Sequence, residues 1–199
     1  MDATASRADR MGSTIGKMAA PAAAALLGIG AAAVSAGKAA AEDAQSQALL
    51  ATAMEKNTGA SKGTIAATED YIAKMSMATG VADDELRPAM ANLVRATGDT
   101  AKSQKALAIA MDVSAATGKS VESVSAAMAK GFAGSTTSLG RLVPGMDKAV
   151  LAGGDMTAIM DELARKTGGS AAAAADTAAG KMQIMQVAMD EAKESAGAA

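Results

Sequence analysis

The dipeptide Thr-Gly recurs at Thr58-Gly59, Thr79-Gly80, Thr97-Gly98, Thr117-Gly118 and Thr167-Gly168, and this punctuation constrains the chain more than any other feature. The second, third and fourth glycines follow the first by 21, 39 and 59 positions. Each closes a stretch with helical spacing. A glycine just past a helix end adopts the left-handed backbone conformation at no steric cost, so the repeat predicts helices that stop at glycines. Capping residues follow at Asp83 or Asp84, Asp99, Ser120, Ser135 and Asp155, whose side-chain oxygens can accept from the free N–H groups of a first turn. Val143-Pro144-Gly145 reads as a turn inside the array.

Apolar residues between these signals recur at three and four positions, the spacing of one helix face. Ile65, Ile72, Met75 and Thr79 form one stripe, and Leu86, Met90, Leu93 and Val94 a second. Val121, Val124, Met128 and Phe132 form a third, Met156, Ile159, Met160 and Leu163 a fourth, and Met182, Met185 and Met189 a fifth. No useful run alternates with period two. Pro88 falls inside the second stripe, so a short turn from Asp84 is expected, with the main helix starting near Arg87 or Pro88. The expected fold is all-α, with long Ala-rich helices flanking an array of short helices with Gly-capped turns. Residues 1–57 read as an Ala/Gly-rich apolar helical segment, broken or bent near Pro21. Residues 58–168 read as the short-helix array and residues 169–199 as a long Met-rich helix.

Composition narrows the chemistry. The chain has no His, Cys or Trp, one Tyr (Tyr71) and one Phe (Phe132). Without His it lacks the commonest general base and zinc ligand, and without Cys it has no disulfide or thiolate site. A net charge of −2 and two aromatics give no basic face and no stacking platform, so specific nucleic-acid binding is not expected. Small apolar side chains bury little area each, which predicts a weak monomeric core and suits close packing of helices between chains.

Individual motifs reduce to structure. Gly118-Lys119-Ser120 resembles the end of a phosphate loop, but Val113 stands where that loop needs a glycine, and a helix precedes it; it reads as a C-cap followed by an N-cap. Ser35-Ala36-Gly37-Lys38 matches Ser-x-x-Lys without the companion elements of acyl enzymes. The acids Asp83-Asp84-Glu85 and Asp161-Glu162 are expected at helix starts or on solvated faces, where the helix dipole explains them. The Met stripes read most simply as packing, and alternatively as an adaptable binding surface. No catalytic, cofactor-binding or metal-binding residue is assigned, and no enzyme is expected.

The twenty residues Met18–Gly37 are uncharged, about the length of a membrane span, but half are Ala and Pro21, Gly28, Gly30 and Gly37 interrupt them. Three readings stay open for this segment: a buried or self-associating helix, a segment that enters membranes, or a signal peptide cut near Val34-Ser35-Ala36.

An ordered set of elements resembles the central helical block of phage tail tape-measure proteins. It runs through Asp84-Glu85-Leu86-Arg87-Pro88-Ala89, Asn92-Leu93-Val94-Arg95-Ala96-Thr97-Gly98-Asp99 and Ala106 to Met111. It continues through Asp112 to Lys119, Ala127-Met128-Ala129-Lys130, Gly134, Thr136-Thr137-Ser138-Leu139, Leu142 and Pro144-Gly145. Ala175-Asp176-Thr177 and Gly180-Lys181, followed by a Met-rich helix, extend the likeness, which covers about residues 60 to 197. The Ala/Gly-rich stretch at residues 11–40 resembles the region that often precedes the block.

The resemblance implies a structural role in the phage tail lumen. There the chain sets tail length while the tube assembles around it and is released on infection. The implied partners are other copies of itself, the tail tube protein, tail assembly chaperones and the host inner membrane on ejection. The implied locations are the virion and, during assembly, the host cytoplasm. Family members are usually longer: a fully helical chain of this length spans only about 300 Å. The expectation is therefore a piece of a longer protein or a short tail.

Overall fold

The Thr-Gly punctuation ends helices where the repeat predicts. In the computed structural model, which describes residue 38 and residues 40–197, Gly59, Gly80, Gly98 and Gly118 all have φ between 64 and 74°. At Gly80, Gly98 and Gly118 the cap N–H donates to the carbonyl four residues back (Ser76, Val94 and Ser114), satisfying a carbonyl at each helix end. The fifth pair behaves differently. Gly168 has φ −54°, and Gly169 takes the left-handed conformation at φ 82°.

The chain divides into two units. The larger, Glu42–Ala192, contains α1 (residues 42–58 of this unit), α2 (Lys62–Thr79), α3 (Asp83–Thr97), α4 (Thr100–Thr117) and α5 (Val121–Phe132). Then follow α6 (Thr137–Leu142), α7 (Lys148–Gly153), α8 (Met156–Thr167), α9 (Ser170–Ala175) and α10 (Ala178–Gly197), whose residues from Lys193 on count with the smaller unit. The smaller unit combines Met1–Ala41 with Lys193–Ala199, and its described residues are helical. The apolar stretch Met18–Gly37 and the Pro21 bend lie outside the described residues. No strand occurs among the described residues, and the protein is all-α.

Helices α3 and α4 form the centre of the larger unit. α3 packs on α4 and α5; α4 also packs on α5, α8 and α9, and α2 flanks α3 and α9. The predicted stripes supply this core: Leu86, Met90, Leu93 and Val94 are fully buried, as are Val124, Met128 and Ile159. Ala106 and Ala110 of α4 are fully buried too. Such small side chains let neighbouring helices approach closely, and Leu107 between them supplies bulk. Gly131 serves the same end in α5, where an added Cβ would lie 2.6 Å from Met156 Sδ.

Polar ties fix the surrounding helices to this centre. Tyr71 Oη donates to the Gln104 carbonyl (3.2 Å), and the Ala171 N–H donates to Asp112 Oδ1 (2.9 Å). Glu162 is buried rather than solvated, and its Oε1 accepts from the Asp147 N–H at 2.8 Å, tying the start of α7 to α8.

Several local expectations change. The N-cap of α3 is Ala82, which has no side-chain cap, and the helix runs unbroken through Pro88. The Ala82 carbonyl accepts from Glu85 N (3.0 Å) and Leu86 N (3.2 Å), so the first turn closes before the proline. Pro88 then removes a single backbone bond near a helix start that three acids stabilise. Thr136, not Ser135, precedes α6. Asp99, Ser120 and Asp155 cap as expected, accepting from Lys102 N, Ser123 N and Thr157 N. The C-terminal Met-rich region bends between α9 and α10, where Gly180 lies so close to α9 that a Cβ would meet the Ala174 carbonyl oxygen.

Candidate functional site

Arg87 lies on the apolar face of α3, in register with Met90 and Val94, and only 6 % of its side chain is exposed. A guanidinium stripped of water at that depth must be compensated by opposite charge. Four carboxylates do this. Asp43 from α1 and Asp83 from α3 bond the two terminal nitrogens, Glu69 Oε2 from α2 accepts from Nε at 2.8 Å, and Asp84 Oδ1 stands 3.5 Å from Nη1. Ser46 Oγ accepts from Nη1 at 3.1 Å. Gln47 Nε2 donates to Asp43 Oδ2 at 2.8 Å and steadies that carboxylate.

The cluster carries more negative than positive charge, and its carboxyls respond. Burial pushes Asp83 above the usual carboxylate range, and the charges of Asp43 and Asp84 add to this, while Arg87 pulls it back in part. Glu191 on α10 is also pushed up, first by burial, then by the charge of Asp83 and by a hydrogen bond to the Asp83 side chain. Both carboxyls therefore keep their protons to higher pH than an exposed carboxyl does. Burial alone would lower Arg87, but the bond to Glu69 and the surrounding carboxylates outweigh it and hold it above its usual value.

This arrangement joins α1, α2, α3 and α10 at one point. Asp43, Asp83 and Asp84 each bring an oxygen within 4.8 Å of the others, the spacing of a cation site, but the Arg87 guanidinium already contacts all three. The ion pairs of the hub hold α1, α2 and α3 together.

Sequence reasoning placed Asp83 and Asp84 at a helix start or on a solvated face, and both do lie in the first turn of α3. Asp83 is instead buried, and Arg87 organises Asp43, Glu69 and Glu191, none of which the sequence singled out. One signal was available: Asp83, Arg87, Met90 and Val94 share a helix face, and a charge on an otherwise apolar face needs a partner.

The two Met stripes also part company. Met156 and Met160 are buried core residues, whereas Met182, Met185 and Met189 are 60, 59 and 56 % exposed along one face of α10. Gly118 caps α4 and Ser120 caps α5, as the structural reading of Gly118-Lys119-Ser120 expects. Among the described residues no helix is long and apolar enough to cross a membrane. No family model, curated protein or solved structure matches the chain.

Proposed function

We propose that this chain is a structural segment of a phage tail tape-measure protein rather than an enzyme. The observation that carries this reading is a coincidence of boundaries. The elements that resemble the tape-measure block, from Asp84 through the Met-rich helix, fall on consecutive helices, α3 to α10, and α3 to α8 are each followed by a left-handed glycine. The exposed Met182, Met185 and Met189 face offers adaptable apolar contact for neighbouring copies or for the tube wall. In this reading the chain occupies the tail lumen, with the tube protein and assembly chaperones as partners, and it meets the host inner membrane after release.

The test uses purified virions of the encoding phage. The chain should be present in intact tails, shielded from added protease, and lost from particles that have ejected their DNA. A chain absent from virions, or cleaved as readily in intact tails as in solution, overturns the proposal.

A further inference from the structure

We infer that the cleft between α3, α4, α5 and α8 binds a single-chain anionic amphiphile. The site does not depend on the ruler reading. The cleft has a volume of about 500 Å³, within the usual range for small-molecule sites. Phe132, the one phenylalanine of the chain, lies against it with Met156, Met160 and Ala96, and Thr97 and Thr157 edge this apolar floor. Two thioethers beside a ring make a surface that adapts to a flexible alkyl chain. Lys102 and Lys105, one turn apart on α4, stand at the same cleft and supply positive charge.

That charge is available to a ligand. Lys102 makes no ion pair among the described residues. Lys105 reaches Asp161 at 3.3 Å, but the two side chains are 60 and 64 % exposed, and such a pair contributes little. The nearby acids Asp99 and Asp155 do not line the cleft. Each accepts the N–H of a first helical turn, where the helix dipole offsets its charge. An acyl chain on the Phe132–Met156–Met160 floor with its anionic head between the two lysines satisfies both halves of the site. A neutral or cationic head does not.

The probe is monomeric dodecanoate, titrated into the full chain carrying ¹³C-methyl methionine. Saturable binding should shift the Met156 and Met160 methyl signals and leave those of Met182, Met185 and Met189 in place. Shortening the probe by two carbons should weaken binding about tenfold, because each buried methylene contributes roughly 0.8 kcal/mol. Dodecanol, or the double variant Lys102→Met with Lys105→Met, should bind at least about tenfold more weakly, reflecting the loss of charge-assisted bonds. Both lysines are exposed, so the variant should keep the wild-type melting curve. Absence of saturable binding by about 1 mM overturns the inference. So do equal affinities for dodecanoate and dodecanol, shifts confined to the α10 methionines, or binding to phosphatidylglycerol vesicles without binding to the monomer.

Discussion

Replacing Arg87 with Met keeps much of the side chain's bulk and removes the charge that holds four helices at one point. The consequences can be worked from the surroundings. Asp84 is 45 % exposed, so its share of the loss is small. Asp83 and Asp43 are only 7 and 20 % exposed, and Glu69 is 23 % exposed. Without the guanidinium these three carboxylates face one another in a region largely closed to water. Removing one partner of a buried ion pair typically costs about 3–5 kcal/mol, and we expect that range at pH 7. With a urea dependence of about 2 kcal/mol per molar, the unfolding midpoint should fall by roughly 2 M. The same variant measured near pH 4 should lose much less, because the uncompensated carboxyls can then protonate. Urea unfolding followed by circular dichroism at both pH values reads this directly. A loss under about 1 kcal/mol at pH 7, or an equal loss at both, would refute the hub.

Glu191→Gln tests the raised pKa values of this pair. Asp83 and Glu191 have raised pKa values in the folded chain, so the stability they contribute is fully present below the usual carboxylate range and is lost as pH rises through their raised values. The wild-type urea midpoint should therefore decline as pH rises above that range, and Glu191→Gln, which donates without needing a proton, should flatten the decline; parallel curves would contradict it. Gly180→Ala should destabilise by about 1–3 kcal/mol, because the added Cβ would run into the Ala174 carbonyl oxygen and stand 2.7 Å from Ala175 Cα, both backbone atoms. Gly153→Ala, with nothing within 4 Å of the new Cβ, should stabilise by about 0.4–1 kcal/mol, and thermal melts of the two variants should move in opposite directions. Exchanging Met182, Met185 and Met189 for Gln should leave stability within about 0.5 kcal/mol and lower self-association in sedimentation velocity; unchanged association would remove this face as the contact.

The helical architecture was legible because its signals are local. Thr-Gly endings, the caps at Asp99, Ser120 and Asp155, and the apolar stripes of α3, α5 and α8 each act within one or two turns. What escaped the sequence depends on distant partners. Pro88 looked like a helix start, but its turn is closed by the Ala82 carbonyl and supported by acids that also face Arg87. Asp43 and Glu69 lie 44 and 18 positions from Arg87, beyond the reach of any spacing rule. The Met stripes of α8 and α10 look alike in sequence, yet one is buried and the other exposed. The difference is set by what packs against each helix, which periodicity does not encode. Small buried side chains also proved compatible with a closed core, because Ala106, Ala110 and Gly131 bring helices close enough for Leu107, Met128 and Ile159 to fill the space between them.

We propose that this chain contributes length to a phage tail. An in-frame duplication of residues 42–192 in the encoding phage, with tail lengths measured by electron microscopy, tests it most directly. Tails should lengthen by about 40 Å if the extra copy stays folded as it is in this structure. They should lengthen by up to roughly 230 Å if its helices run end to end in the lumen. Tails of unchanged length, from particles shown to contain the duplicated chain, would contradict the account.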